Sequence, residues 1–470
     1  DLAGKTEALA TTGNASLNVQ GDAGSLHDFT VASTEGSAST TVAANNGDLK
    51  LDGTGIVSGA GSYRAELRIP RPTAAAELNL SASGNLDTRT AGLSVNNTGT
   101  ESDAVASATL SATNGWVKVG QADIATQGTG IAQLTVNGGA GLAVTGSLAA
   151  SAVNGSSSIV LDSGSDNLTI DQAVTATGSA SATVDAMATG LLTVNADIAA
   201  SAENGDGQVW LSSHAGNVVL NGNVNADGDW YGGVRVNAAQ EIDVNGNILA
   251  SANDYADVTL TSGAMMLMAP TAPAAGGSIT QGIDSTIRAT GGTANVEVVA
   301  SGFTLDGKIE ALASEGRASL NVQGDAGSLH DFTVTSTEGS ASATVAANNG
   351  NLTLDGTGIV SGAGAGYLHG LRAMLPEAAA ELVLSASGNL DTRAASLSVA
   401  NTNAESDLLA SARLTAGGSV KTGRIDVTNA GAGMAQALVD GGAGLAVGGP
   451  LTAASAEGMA EVSLVSANDN

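Results

Sequence analysis

Two of the side chains most often used in catalysis, histidine and cysteine, are scarce or absent in this chain. Its four histidines are His27, His214, His330 and His369, and it has no cysteine. Without cysteine there is no disulfide, thiolate metal site or cysteine nucleophile. The sequence also lacks the G-x-S-x-G turn of serine hydrolases and the H-E-x-x-H spacing of zinc enzymes. We therefore expect the histidines at the surface or at strand edges, and predict neither a catalytic triad nor a zinc site.

Four aspartates, Asp162, Asp166, Asp227 and Asp229, are candidates for acid–base chemistry on a polysaccharide, since clustered carboxylates can supply it. Each lies in a turn rich in glycine, serine and asparagine, where an aspartate side chain stabilises the turn itself. The same acidic turns are candidates for weak surface calcium binding. However, the G-G-x-G-x-D repeat of calcium-loaded β-rolls and the EF-hand spacing are absent. We therefore predict turn-forming aspartates and no cofactor, with weak calcium binding as the alternative.

A small basic segment stands out in this acidic sequence. Arg64, Arg68 and Arg71 fall close together, and Arg372 occupies the place of Arg68 in a second copy of the segment. A basic loop on such a chain is a candidate contact for an acidic ligand or for the acidic flank of a neighbouring molecule. The alternative is a set of solvated charges on a protruding loop.

The elements that position these residues belong to a long internal repeat. The segment ASLNVQGDAGSLHDFTVASTEGS at Ala15–Ser37 recurs 303 residues later with one substitution, Thr335 for Ala32. The match resumes at ELNLSASGNLDTR and extends through GGAGLAV. We interpret residues 1–470 as one continuous solenoid segment, with 2–304 as one repeat unit and 305–470 as a partial second copy. Both ends cut through a unit, so we expect the chain to be part of a larger protein.

A shorter period of mostly 23 to 27 residues runs inside that unit. Its marker is the last aliphatic residue of a V-x-V/L strand that precedes a polar turn. Longer steps contain insertions at 62–76, 265–285 and 363–380. The markers are Val19, Val42, Leu80, Leu110, Val136, Leu161, Val184, Leu211, Val236, Leu260, Val298, Val322, Val345, Leu384, Leu414, Val439 and Leu464.

This pattern predicts an all-β, right-handed parallel β-helix, or β-solenoid, of about 17 coils of roughly 24 residues with loop insertions. Aliphatic and polar residues alternate over short runs, which is typical of strands with one buried face. Such short strands can bury that face only by stacking on the same strand of the next coil. At about 4.8 Å per coil, the stack would form a rod on the order of 80 Å long. A β-sandwich array, the main alternative, does not explain the 24-residue positional match.

Three aromatic residues fall at related positions of this period. Trp230 and Tyr231 precede one marker strand, and Tyr255 precedes the next one, 24 residues after Tyr231. Equivalent positions on adjacent coils lie about 4.8 Å apart, so the two tyrosines are expected to stack with Trp230 beside them. Together with Asp227 and Asp229 they are a candidate contact patch for a glycan or protein partner. The alternative is a purely structural aromatic ladder.

The sequence resembles the filamentous-haemagglutinin-like exoproteins of bacterial two-partner secretion. The resemblance lies in the coil length, the lack of cysteine, the duplicated blocks and the turn motifs Gly-Asn-Leu at Gly84 and Asn-Gly-Asn-Ile at Asn245. Passenger domains of large autotransporters look similar. The resemblance covers the whole chain and implies a right-handed β-helical adhesin exported through an outer-membrane pore. The secretion-signal domain that precedes the repeats in that family has no counterpart here.

The amino-acid composition limits both the make-up of the core and the classes of possible partner. Aromatic residues make up 2% of the chain and charged residues 13%, so the core must consist of alanine, valine, leucine and isoleucine. A net charge of −29 disfavours nucleic acid and anionic lipid as partners. No apolar run approaches the roughly 20 residues of a membrane span. Any signal peptide is expected to lie upstream of Asp1 or to have been removed.

We therefore predict a non-enzymatic structural and adhesive solenoid, extracellular or on a bacterial cell surface. Its expected partners are a host or environmental surface, a glycan or a protein, and further copies of itself end to end or side by side. The alternative is a carbohydrate-active β-helix enzyme, but an active site is normally built once, whereas this chain duplicates even its insertions. An ice-binding solenoid would need threonines repeated in register, and Thr40, Thr41 and Thr259 are not.

Overall fold

The computed structural model describes residues 1–60, 74–100, 103–263, 276–364 and 378–467. These residues contain β-strands and no helix. The strands pair in parallel and form a β-solenoid of about 17 coils, which confirms the predicted fold class. The chain divides into two compact units, Asp1–Gly233 and Val234–Asn470, a boundary different from that of the sequence repeat at residues 304 and 305. The right-handed sense of the coil stays a prediction.

The strands of the first half of the chain are short, most of them three to nine residues long. In chain order they are β1 (Thr6–Ala10), β2 (Ala15–Gly21), β3 (Gly24–Leu26), β4 (Phe29–Ser33), β5 (Ala38–Ala44), β6 (Leu49–Gly59), β7 (Ala74–Ala82), β8 (Leu86–Asn97), β9 (Val105–Ala112), β10 (Trp116–Thr126), β11 (Ile131–Gly138), β12 (Gly141–Val144), β13 (Leu148–Ala152), β14 (Ser156–Asp162), β15 (Leu168–Ile170), β16 (Val174–Gly178), β17 (Ser181–Ala188), β18 (Leu192–Val194), β19 (Ile198–Ala202), β20 (Asp206–Ser213), β21 (Val218–Leu220) and β22 (Val224–Gly228).

The strands of the second half follow the same plan. They are β23 (Tyr231–Ala238), β24 (Glu241–Val244), β25 (Ile248–Ala252), β26 (Tyr255–Ser262), β27 (Ser278–Gln281), β28 (Thr286–Gly291), β29 (Thr293–Val299), β30 (Gly302–Ala313), β31 (Ala318–Gly324), β32 (Ala326–Ser336), β33 (Ala341–Ala347), β34 (Leu352–Gly362), β35 (Ala378–Ala386), β36 (Leu390–Asn401), β37 (Leu409–Ala416), β38 (Ser419–Asn429), β39 (Ala435–Gly441), β40 (Gly444–Val447), β41 (Leu451–Ser455) and β42 (Ala460–Ser466).

Each coil contributes to two sheets, which we call sheet 1 and sheet 2. Within the first unit, β11 pairs with β9 and β14 in sheet 1. After a short turn, β12 and β13 of the same coil pair with β15 and β16 in sheet 2. In several coils one long bent strand, such as β8 or β10, replaces the two short ones of sheet 2. Every coil therefore exposes an outward face on both sheets.

Aliphatic side chains stack inward in continuous columns. In the first unit Val19, Val42, Leu80, Leu110, Val136 and Leu161 stand opposite one another in successive strands of sheet 1. In the second unit the column runs through Leu260, Val298, Val322, Val345, Leu384, Leu414, Val439 and Leu464. The predicted column is confirmed for these residues. Its last member, Leu464, is stacked on one side only and is 50% exposed.

One marker residue was assigned to the wrong column. Ala186, not Val184, stands opposite Leu161. Val184 lies in the neighbouring inward column, opposite Ile159. The error has a simple cause: Val184 is the only bulky aliphatic on the inward face of β17, whose other inward residues are alanines. Choosing the marker by side-chain size therefore predicted correctly that Val184 faces inward, but placed it two residues away from the residue that pairs with Leu161.

Polar ladders hold the turns together from coil to coil. The Asn195 side-chain amide donates to Asp171 Oδ1 at 2.8 Å, and the Asn221 amide donates to Asn195 Oδ1 at 2.8 Å. Asn97 is buried and donates to Thr126 Oγ1 at 3.0 Å. Because a buried amide without partners is costly, the contact of Asn97 in particular favours one register of the stacked coils.

The two copies of the sequence repeat share their strand plan. The bounds of β2, β5 and β6 are those of β31, β33 and β34 shifted by 303 residues. The two bulges recur as well: Gly53 and Gly356 have positive φ angles of 82° and 95°. At each bulge an aspartate accepts the next backbone N–H, Thr54 to Asp28 and Thr357 to Asp331, both at 2.7 Å.

Candidate ligand-contact surfaces

Four of the five residues of the predicted aromatic patch lie close together in the first unit: Asp229 and Trp230 form the turn between β22 and β23, Asp227 is near the end of β22, and Tyr231 begins β23. The N–H groups of Asp229 and Trp230 both donate to the carbonyl of Gly205 on the preceding coil, at 2.9 and 3.2 Å. This anchors the turn, and the Trp230 side chain projects from it with 64% of its surface exposed. Asp227 is exposed and Asp229 half-buried. The turn therefore presents one indole ring beside two carboxylates.

Tyr231 has a more structural position than Trp230. Its ring folds back over Gly233, where an added Cβ would lie 2.4 Å from the ring. Only glycine leaves room for this arrangement, and Tyr231 is half-buried as a result. In the first unit, Trp230 is therefore the exposed aromatic side chain of the patch and Tyr231 a packing one.

Tyr255, the fifth residue of the patch, begins β26 of the second unit and is 40% exposed. Partial burial raises its pKa, and the carboxylates of Asp257 and Glu297 raise it further. The phenol is thus neutral over the physiological range and able to donate a hydrogen bond. Stacking of Tyr255 on Tyr231 stays a prediction.

The predicted basic loop lies outside the described residues. This applies to Arg64, Arg68, Arg71 and Arg372, and also to His369.

Three of the aspartate and histidine side chains considered for catalysis have hydrogen-bond partners close by, namely Asp162, His27 and His330. Asp162 Oδ1 accepts the N–H of Gly164 at 2.8 Å, which is a turn contact. His27 Nδ1 lies 2.5 Å from Asp52 Oδ1, and His330 Nδ1 lies 2.8 Å from Asp355 Oδ1. These two pairs occupy the same place in the two copies. His214 is exposed.

A groove that sequence reasoning missed crosses three coils of sheet 2 in the first unit. Its volume is about 500 Å³. We call it the Trp116 groove; its lining residues are Asp48, Leu49, Lys50, Asn85, Leu86, Asp87, Trp116 and Lys118. The outward charges alternate, because Lys50 stands opposite Asp87 and Asp87 opposite Lys118 in adjacent strands.

A hydrogen-bond ladder positions the tryptophan of this groove. Asp48 Oδ1 accepts the backbone N–H of Asn85 at 2.7 Å, and Asn85 Oδ1 accepts the backbone N–H of Trp116 at 2.9 Å. The indole leans over Gly141 of the next coil, where an added Cβ would lie 2.7 Å from the ring. Trp116 is therefore held at one end of the groove by its backbone and by a glycine beneath its ring.

Arg89 engages the central carboxylate of the groove. Its Nε and Nη2 atoms donate to Asp87 Oδ1 and Oδ2 at 3.0 and 2.6 Å. These hydrogen bonds lower the pKa of Asp87, with a smaller contribution from the charge of Lys118. Asp87 is therefore a carboxylate over the whole physiological range.

The signal that could have revealed this groove is the difference between the two copies. Trp116 corresponds to Ser419 and Lys50 to Thr353, within blocks that are otherwise closely similar. All three tryptophans, Trp116, Trp210 and Trp230, lie in the first unit. Trp210 is also an exposed aromatic that sequence reasoning did not single out, on the outward face of β20.

The described part of the chain contains no cluster of three or more histidine or acidic side chains arranged to hold a metal ion. Nor do these residues form a helix with the length and apolar character of a membrane span. Comparison of the chain with models of protein families, with curated proteins and with solved structures found no match.

Proposed function

We propose that this chain is an extracellular structural and adhesive β-solenoid of a bacterial cell surface, similar in role to the filamentous-haemagglutinin-like exoproteins. It attaches the cell or filament that carries it to surfaces, glycans or proteins through its outward faces, and it does so without chemical turnover.

The observation that carries the proposal is the duplication of outward-facing charged pairs. His27–Asp52 recurs as His330–Asp355. The bidentate pair of Arg89 with Asp87 recurs as Arg393 with Asp391, whose Nη2–Oδ2 distance is 2.7 Å. A catalytic constellation is normally built once, whereas repeated surface features lengthen a stalk or add avidity.

The carboxylates of the Trp116 groove also favour binding over catalysis. A glycosidase needs one carboxyl group with a raised pKa as general acid. Asp87 has its pKa lowered by Arg89. Asp48 accepts hydrogen bonds from the backbone and side-chain amides of Asn85 at 2.7 and 3.2 Å, as a turn-forming residue does.

Attachment under flow tests the proposal. Fluorescently labelled chain is passed over surfaces coated with mixed bacterial and plant polysaccharides, over protein-coated surfaces and over bare hydrophilic silica. We expect saturable retention on at least one coated surface, and loss of retention when the chain is heat-denatured. Retention no greater than that of a charge-matched unfolded polypeptide on all surfaces would contradict an adhesive role.

A further inference from the structure

We propose that the Trp116 groove binds an acidic saccharide, with a pyranose face on the indole of Trp116 and a sugar carboxylate between Lys50 and Lys118. This inference rests on the proposed adhesive function and identifies one ligand class for it. The groove has a volume of about 500 Å³, which is within the range of sites for small ligands.

The tryptophan supplies the apolar contact. Its backbone is held by Asn85 and its ring leans over Gly141, so little conformational freedom is lost when a ligand stacks on it. An indole is an amphipathic platform of large area, and its polar N–H favours ligands that combine an apolar face with hydroxyl groups.

The groove offers two ammonium groups to an anion, and its two carboxylates, Asp48 and Asp87, accept hydrogen bonds from Asn85 and Arg89. The Asp87 carboxylate is occupied by Arg89. Lys118 makes no ion pair within the described part of the chain, and Lys50 has only a distant one, 3.6 Å from Asp52. Both lysines line the groove on either side of Asp87. A carboxylate placed there would gain hydrogen bonds from the two ammonium groups, of which Lys118 is held by no close ion pair within the described residues.

The second copy of the repeat provides a built-in comparison. The second copy has the same residue types at three of these positions: Lys421 corresponds to Lys118, Asp391 to Asp87 and Gly444 to Gly141. Ser419 takes the place of the tryptophan, and its backbone N–H still donates to Asn389 Oδ1 at 2.9 Å. The strand pairing and backbone hydrogen bonds of the groove are therefore kept in both copies, while the aromatic ring and one lysine are present in the first copy alone and Asn351 takes the place of Asp48.

Titration calorimetry of the full chain with two ligands tests the proposal. One ligand is a mannuronate oligosaccharide, and the other is the mannose oligosaccharide of the same linkage and length, which lacks the carboxylates. We expect one mannuronate site per chain, with the neutral sugar binding about tenfold more weakly, since a charged hydrogen bond contributes on the order of 1.4 kcal/mol or more.

Exchanging residues between the copies gives matched variants. Trp116→Ser with Lys50→Thr gives the first copy the residues of the second at these two positions and should weaken mannuronate binding by at least about tenfold, corresponding to about 1.4 kcal/mol. Ser419→Trp with Thr353→Lys should create a second site and double the stoichiometry. Lys118→Gln offers a check that does not depend on the exchanged pair, and it should weaken mannuronate binding without affecting the neutral sugar.

Mannuronate affinity that is unchanged in folded Trp116→Ser, Lys50→Thr chain, or in folded Lys118→Gln chain, would overturn the proposal. Equal affinity for the charged and neutral oligosaccharides would also overturn it. Surface retention measured on the same preparations separates the two proposals. If retention persists while mannuronate does not bind, the saccharide site is wrong and the adhesive function stands.

Discussion

At the scale of single residues, the duplicated histidine–aspartate pairs give the chain a defined pH response. The pKa of His27 is raised by the hydrogen bond to Asp52 and by the charge of Asp28. The pKa of His330 is raised by the hydrogen bond to Asp355, with burial opposing and Asp331 reinforcing the effect. Because both imidazoles are substantially exposed, each pair contributes little to stability.

We predict that these pairs stabilise the fold at acidic pH and not at alkaline pH. A group whose pKa is higher in the folded state contributes fully below its unfolded pKa, about 6.5 for histidine, and loses that contribution as the pH rises through its folded value. NMR titration should therefore place His27 and His330 above 6.5. The double variant His27→Gln, His330→Gln should show a flatter melting temperature between pH 6 and 8. Midpoints at or below 6.5 would contradict the assigned hydrogen bonds.

At the scale of strands, large side chains on one coil pack into space left by small residues on the next. Phe29, Gly55 and Leu93 stand opposite one another in three successive strands. An added Cβ at Gly55 would lie 2.6 Å from Phe29 Cζ and 2.9 Å from Leu93 Cδ2. The phenylalanine thus occupies the space that the glycine leaves on the neighbouring coil. The second copy repeats the arrangement with Phe332, Gly358 and Leu397.

Replacing either of these glycines by alanine should lower the stability of the fold. Overpacking of a dense core costs about 1–3 kcal/mol per site, and Gly55→Ala and Gly358→Ala should cost similar amounts because their surroundings match. Gly92→Ala is the control: nothing lies within 4 Å of an added Cβ there. The second copy has Ser396 at that position. Thermal unfolding measures all three variants, and a Gly55→Ala chain as stable as Gly92→Ala would refute the packing argument.

The sequence predicts strand positions well, because alternation and turn residues are local signals. Parallel stacking follows from the 24-residue spacing, which makes equivalent strands neighbours. The pairing register of a strand is harder to predict from the sequence. Around Val184 two inward columns accept aliphatic residues, and only the pairing with the next coil decides between them. Surface sites are least readable, since the Trp116 groove depends on residues from three coils that are distant in the sequence.

At the scale of the whole molecule, the two copies share a strand plan but differ in their surface side chains, and all three tryptophans belong to the first unit. We expect the contacts that define a ligand to be concentrated there, while the repeated polar ladders provide a common scaffold. The strong negative charge disfavours close approach of nucleic acid and anionic membranes, so uncharged or locally complementary surfaces are the expected partners.

The exposed turn between β22 and β23 gives one prediction at this scale. Trp230→Ala together with Tyr231→Ala should weaken retention on the bound surface, since Trp230 is largely exposed and exposed aromatics anchor interfaces. The single variants separate the roles: Trp230→Ala should leave the melting temperature nearly unchanged, whereas Tyr231→Ala removes the ring over Gly233 and should lower it. A loss of stability with retention intact in both would show that the patch is structural.

An adhesive solenoid binds a polysaccharide without cleaving it, and a single assay can follow both events. The purified chain is incubated with the polysaccharides that retain it, and both bound chain and newly formed reducing or unsaturated sugar ends are quantified over time. We predict saturable binding with no increase in sugar ends above that of a heat-denatured control. Steady product formation, abolished by one substitution such as Asp87→Asn, would contradict it.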